Sequence, residues 1–175
     1  MIIGFTGKAG SGKDTAADYL VTHHGFVKLS FAGPLKAMLA AGGMPEPKHR
    51  EEKEALVPGF LFTWREAAQK LGTEWGRSLD LEIWLKMMEQ QIVQSQSHNI
   101  ALSDLRYENE AAMVRRLGGV VVHMAGAQAD LGVNAGHASE AGVAFSVLPL
   151  DIKVDNSKSH AWLYGQLDAI MGGWL

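Results

Sequence analysis

Residues Gly7-Lys8-Ala9-Gly10-Ser11-Gly12-Lys13-Asp14-Thr15 form the stretch whose types and spacing most directly specify chemistry. They fit the pattern G-x-x-x-x-G-K, with Asp14 where a hydroxyl residue is usual and Thr15 directly after it. Gly7, Gly10 and Gly12 let a backbone fold round an anion with its N–H groups turned inward, and Ser11 lies in the same cradle. A helix opening at this loop adds the positive end of its dipole. Lys13 then meets the outer phosphates as a point charge. The plain alternative is a glycine-rich turn with an exposed lysine. It does not explain why the loop sits between a strand and a helix. Asp14 can hold Mg²⁺ directly or through water, but it also repels phosphate. The metal role is therefore assigned to Asp14, Thr15 and Asp104 jointly.

Asp104 ends the apolar run Ile100-Ala101-Leu102-Ser103, where an acidic residue can hold Mg²⁺ or its waters. The competing reading is a helix-capping Asp in the Asp104-Leu105-Arg106 turn. Arg106 follows two residues later, at the strand end where ligands of open α/β sheets bind. Its planar guanidinium suits a phosphoryl group gaining charge. A salt bridge to Asp104 or Glu108 is the alternative. Lys13, Asp104 and Arg106 are thus the candidate catalytic groups.

Elements that place these groups are legible from pattern. Ile2 to Thr6 is a short apolar run bounded by glycine, which reads as a buried strand. Thr15 to about His24 has helical spacing and ends at Gly25. Phe26 to Phe31 reads as a second strand. Pro34 starts a helix through Leu39. Residues 42–59, punctuated by Gly, Pro and charge, read as a mobile excursion. Thr63 to Trp75 and Asp80 to about Gln96 read as helices split by Gly76-Arg77-Ser78. Thr63 and Glu66 have the spacing of a capping box. Ile100 to Asp104, Val120 to Met124 and Ile152 to Val154 complete the strands. Asn109 to Leu117 and Ser159 to Met171 complete the helices. Residues 125–144, rich in Gly and Ala, read as a loop or lid. Alternation of strand and helix implies a parallel sheet of about five strands covered on both faces.

Composition narrows the function classes. The 175 residues correspond to a single domain spanning 1–175. A hydrophobic fraction of 47% with 20% charged residues is an ordinary globular balance, which excludes disorder as the main state. Lys and Arg number 16 against 19 Asp and Glu, and the formal charge of −3 argues against stable nucleic-acid binding through bulk positive charge. The sequence has no cysteine, so thiol catalysis and Cys-zinc sites are excluded. The opening residues are too short for a signal-peptide core, and no apolar run approaches the ~20 residues of a membrane span. A cytoplasmic protein fits these features.

Five segments occurring in one order carry a family resemblance. They are the loop Gly7 to Thr15, the run Ser30-Phe31-Ala32-Gly33-Pro34-Leu35-Lys36, the run from Arg65 through Leu71-Gly72-Thr73-Glu74-Trp75-Gly76-Arg77, the run Ser103 to Glu110, and His137-Ala138-Ser139-Glu140. Together they resemble the deoxynucleoside monophosphate kinases of tailed bacteriophages, from residue 2 to about Asn156. The resemblance implies a P-loop NTPase fold of the nucleoside monophosphate kinase type, with a lid-like loop at about 125–144. It implies transfer of the γ-phosphoryl of ATP to a deoxynucleoside monophosphate with Mg²⁺, giving the diphosphate, in host cytoplasm if the gene is a phage's. The partners would be small nucleotides, and the oligomeric state, homodimer included, is left open.

The resemblance also assigns roles. A substrate-binding helical part at about 34–97 would take the acceptor, with Arg65 and Arg77 on its 5′-phosphate; the alternative for both is a solvated face with ordinary ion pairs. Gln69 shares a helix face with Arg65. Lys36 could meet the same phosphate or be a surface lysine. Trp84 and Trp75 could stack on a base or belong to the core. Asn156 would border the adenine, and His137 and Glu140 would contact the nucleotide or form a local turn. Two departures stand out. Gly33 replaces the acidic residue usual before the proline, and residues 125–142 contain no Arg or Lys. The positive charge must then come from Lys13, Arg65, Arg77 or Arg106. Other readings of the scaffold are a dephospho-coenzyme A or phosphomevalonate kinase, or a P-loop ATPase linked to nucleic acid.

Overall fold

In a computed structural model of the protein, the residues described are 1–126, 143–147 and 151–173, with Arg50 described by its backbone alone. In chain order the elements begin with β1 (Ile2–Thr6), α1 (Lys13–His24), β2 (Val27–Leu29), α2 (Gly33–Ala41), α3 (Arg50–Glu54) and α4 (Trp64–Gln69). A π-helical turn (Lys70–Gly76) follows, then α5 (Arg77–Leu79) and α6 (Ile83–Gln94). The remainder is β3 (Ile100–Leu105), α7 (Glu108–Arg116), β4 (Val120–Gly126), β5 (Ile152–Asn156) and α8 (His160–Gly172).

The five strands form one parallel sheet in the order β2-β3-β1-β4-β5. This is the α/β architecture that the alternating pattern predicts. β1 lies in the centre, so the loop that leaves it opens at the middle of the carboxyl edge, flanked by the ends of β3 and β4. Ile100, Ala101 and Leu102 of β3 and Val120, Val121 and Val122 of β4 are all buried. Such unbroken apolar runs are what a sheet covered on both faces requires. Ile3 and Phe5 pack with Ala16, Ala17 and Leu20 of α1 and Leu163 and Leu167 of α8. Each fully buried side chain of leucine size contributes about 1.5–3 kcal/mol. The alanines keep α1 close to the sheet, so its N-terminus is fixed where the loop delivers it. Gly25, at φ 67°, closes α1 in the left-handed conformation expected of a glycine stop.

The chain divides into two compact units. One comprises Met1–Ser30 and Gln91–Leu175, and holds the sheet with α1, α7 and α8. The other, Phe31–Gln90, is helical. Within it, Pro34 sits in the first turn of α2, where its missing N–H costs nothing. Thr63 caps α4: its hydroxyl accepts from the Glu66 N–H at 3.1 Å, and the Glu66 carboxylate accepts from the Thr63 N–H at 2.7 Å.

Two expectations in this unit are corrected. The excursion at 42–59 contains the short helix α3, and Leu56 bridges to Thr63 as an antiparallel pair. The break expected at Gly76-Arg77-Ser78 is absent. The chain stays helical from Trp64 to Leu79, through the π turn, and breaks at Asp80, which is extended at φ −158°. Glycine lowers helix propensity by only about 1 kcal/mol, and packing overrides it here.

Candidate functional site

Three glycines of the first loop adopt positive φ: Gly7 at 143°, Gly10 at 76° and Gly12 at 90°. A side chain at Gly7 would press its Cβ to 2.7 Å from the Met124 carbonyl oxygen, and one at Gly12 to 2.3 Å from Asn156 Nδ2. Both the backbone conformation and the space therefore demand glycine. Gly12 is the N-cap of α1 and no side chain caps the helix, so the first turn presents its N–H groups to the loop. Lys13 Nζ donates to the carbonyls of Gly7 and Lys8 at 2.7 and 2.8 Å, which holds its charge over the same cradle.

Asn156, at the end of β5, donates from Nδ2 to the Ser11 carbonyl at 3.0 Å. It thus braces the loop at Ser11–Gly12, a task the sequence does not signal. Asp14 is exposed and paired with Lys28 Nζ at 2.8 Å, and Asp18 takes the same ammonium at 2.9 Å. Burial works to lower the basicity of Lys28, but its bonds to the two aspartates outweigh this and raise it. The pairing answers the repulsion expected between Asp14 and a phosphate, because Lys28 offsets that charge. The one available signal was a lysine inside the largely apolar run Phe26–Phe31.

At the end of β3 the pairing with β1 slips by one residue: Gly4 faces Leu102, whereas Thr6 faces Leu105. The extra residue re-aims the Ser103–Asp104 stretch at the sheet edge. The cap of α7 is Tyr107, three residues beyond Asp104. The turn itself is held by buried Glu110, whose Oε2 accepts from the N–H groups of Arg106 and Tyr107 at 2.8 and 3.1 Å. Asp104 is therefore not needed as the helix cap. Arg106 is exposed on the same turn. Glu108, one of the two alternative partners considered for it, takes Arg115 at 2.8 Å. Arg115 also grips the buried Asp151, whose carboxylate accepts from His123 and from the Ser146 N–H as well. Burial alone would raise the Asp151 pKa, but the Arg115, Ser146 and His123 bonds win and lower it. This cluster ties residues 144–146 to α7, β4 and β5, and sequence reasoning did not find it.

In the helical unit the acceptor candidates stand on a few turns. Arg65 and Gln69 lie on α4 and Arg77 begins α5. Arg65 is paired through Nε with Glu54 of α3. Lys36, on α2, meets Glu46 at 3.0 Å, and Lys53 meets the same carboxylate. Burial tends to raise the Glu46 pKa, but the two lysines hold it below the ordinary value. Of the two readings open for Trp84, base platform or core, its burial matches the core. It is 5% exposed, and its indole N–H donates to the Gly72 carbonyl at 2.7 Å. Trp75, by contrast, is 44% exposed. His137, Glu140 and most of the lid-like loop lie outside the described residues.

The loop fits a polyphosphate on its own geometry, since it is a cradle that any Cβ would fill, with a cation and a helix N-terminus aimed into it. No group of three or more His, Cys, Asp or Glu gathers for a metal among the described residues. Mg²⁺ is usually held by one or two carboxylates together with substrate phosphates rather than by a protein cage. Among the described residues, no helix is long and apolar enough to cross a membrane.

Comparison with known proteins gives consistent findings. A family model described as deoxynucleotide monophosphate kinase matches residues 48–167. A protein of Acanthamoeba polyphaga mimivirus, provisionally named a deoxynucleotide monophosphate kinase, is 28% identical over 95% of this chain and 94% of its own. The deoxynucleoside-5'-monophosphate kinase of Escherichia phage T5 is 29% identical over 57% of this chain and 42% of its own. In three dimensions the chain resembles shikimate kinase from Aquifex aeolicus, with a TM-score of 0.56 at 15% identity over 99% of this chain and 97% of that one. That likeness concerns the fold.

Proposed function

Because the chain belongs to the deoxynucleotide monophosphate kinase family, and is thus a kinase, we propose that it moves the γ-phosphoryl of ATP to the 5′-phosphate of a deoxynucleoside monophosphate, in the cytoplasm, as one kinase domain. The observation that carries the donor half is the glycine loop with Lys13 folded over it and Asn156 behind it.

In this reading Gly7 to Thr15 wrap the β- and γ-phosphates, and Lys13 exchanges the loop carbonyls for phosphate oxygens. An oxygen of the acceptor's phosphate bonds to the γ-phosphorus, while the bond from that phosphorus to the bridging oxygen breaks and its electrons leave with ADP. Little covalent work falls to the protein, whose part is alignment and charge neutralisation. Thr15 and Asp104 would hold Mg²⁺, which when bound would offset charge on the phosphates. Lys28 keeps Asp14 paired and so limits its repulsion of phosphate. Arg106 lies on the turn after Asp104, where a guanidinium stabilises charge developing on the transferred group. In the helical unit Arg65, Gln69, Arg77 and Lys36 bind the acceptor.

The test is a panel: the protein with ATP and Mg²⁺, and each common deoxynucleoside and ribonucleoside monophosphate in turn, the products separated by chromatography. Deoxynucleoside diphosphate and ADP should form in equal amounts. No diphosphate from any acceptor would sink the reading.

A further inference from the structure

Arg77 lies twelve positions after Arg65, and Gln69 and Thr73 fall between them at intervals of four. In an α-helix of 3.6 residues per turn each residue advances by ~100°, so Arg77 would end about 120° round the helix from Arg65. The structure does not keep α geometry over that span: Lys70–Gly76 is π-helical. A π turn bonds residue i to i+5 and so absorbs about one extra residue, which brings the offset down to roughly 20°. The burial pattern agrees. Trp64 and Gly76 are both buried, with Ala68 and Gly72 partly buried between them. That line at intervals of four stays on one side only if the drift is removed. The line one residue on is then Arg65, Gln69, Thr73 and Arg77, a straight polar stripe beside the buried one.

What holds the π turn is visible. The Gly72 carbonyl accepts from the Trp84 indole N–H at 2.7 Å, and the Trp75 carbonyl accepts from the Ser78 hydroxyl at 2.7 Å. Side chains thus support two carbonyls of this π-helical segment, a geometry rare in proteins. Gly76 lies against the Trp84 ring so closely that a Cβ there would come to 2.5 Å from Cζ2. Trp84 therefore fits one backbone path, and that path sets the phase of Arg77.

We propose that Trp84 is a positioning residue for acceptor recognition: by holding the π turn at Gly72 and Gly76 it brings Arg77 into line with Arg65 and Gln69, so that the stripe engages one deoxynucleoside monophosphate. The proposal rests on the functional reading above. It adds that acceptor affinity depends on a buried indole that touches no substrate.

Trp84→Phe tests it, because the ring is largely kept and the N–H is lost. Kinetics use the deoxynucleoside monophosphate that the unmodified protein turns over fastest. The KM for that acceptor should rise roughly tenfold, the scale of one buried carbonyl left without its donor, while the KM for ATP stays unchanged. Arg77→Met alone should raise the acceptor KM as well. Adding it to Trp84→Phe should cost little more, since the arginine is already misplaced. Gly76→Ala displaces the ring but keeps the N–H, and should reproduce the acceptor defect. Fully additive effects of Trp84→Phe and Arg77→Met, equal rises in both KM values, or an unchanged acceptor KM in Gly76→Ala would each overturn the proposal while leaving the kinase reading intact. An unmodified protein that phosphorylates no acceptor overturns the kinase reading, and this proposal with it.

Discussion

Lys13 and Arg65 are the cations that the proposed chemistry turns toward the donor and the acceptor, and the structure keeps them in different company. Lys13 sits on two neutral carbonyls of its own loop. Arg65 sits on the carboxylate of Glu54, and its neighbour in role, Lys36, on that of Glu46. When a phosphate arrives at Lys13, a dipole is exchanged for a full negative charge, and the gain in attraction is large. When a phosphate arrives at Arg65, one anion replaces another, and only the difference between them counts. The donor cradle is thus set in advance by backbone geometry. The cations proposed for the acceptor are held by carboxylates, which an incoming phosphate would have to displace.

The largest expected effect breaks the comparison on the donor side. Lys13→Ala should lower kcat by about 10²–10³, the usual loss for one preorganised donor at developing charge. The fold should persist, since the side chain's bonds to Gly7, Lys8 and Ser11 lie within its own loop. A circular-dichroism melt alongside steady-state rates checks both halves. Near-normal turnover would mean that this cradle is not where ATP reacts.

Next comes Arg65→Met, which keeps the apolar stem and removes the guanidinium fork. Acceptor binding should weaken by about 2 kcal/mol, the low end of what a desolvated charge pair loses on truncation. ATP binding should hold. Calorimetry with each nucleotide alone separates these, and equal losses for both would dissolve the contrast between the two cations.

The smallest effect has the opposite sign and sharpens the contrast most. Glu54→Gln removes the competing charge beside Arg65 while keeping the side chain's length. Acceptor binding should tighten two- to fivefold, in line with the ~0.2–1 kcal/mol of a partly exposed ion pair. The salt dependence of acceptor binding should also steepen, since a free guanidinium is screened where a paired one is already neutralised. Weaker acceptor binding would show that Glu54 orients Arg65 rather than competing for it.

The same contrast explains what could be read from the sequence. The glycine loop is written in contiguous residues, because Gly7, Gly10 and Gly12 each answer a local demand of backbone and space. The sheet was legible for a similar reason: runs such as Val120 to Val122 are unbroken only when both faces are covered. The partners of the charged groups were not legible. Glu54 for Arg65, Lys28 for Asp14 and Asp151 for Arg115 depend on how separate elements pack, and no spacing rule links them. The π turn was hidden more deeply. Gly76-Arg77-Ser78 looks like a helix break, because glycine is a poor helix former. What decides the matter is a tryptophan eight residues beyond Gly76, which needs a glycine beneath its ring.

The bond from Asn156 to the Ser11 carbonyl spans 145 residues, and it has a consequence for how the protein comes to be active during synthesis. The glycine loop is made before Asn156, which follows it in the chain. Its brace arrives on the last strand of the sheet, whose parallel register Gly126–Asn156 puts Asn156 beside the loop. Contacts of such sequence separation form late, because the chain between them must be ordered first. A nascent chain can therefore carry the whole phosphate-binding motif while its loop still lacks the support that fixes Ser11 and Gly12. Full support for the loop therefore waits on the closing of the sheet: the geometry of Ser11 and Gly12 is completed by the strand that carries Asn156.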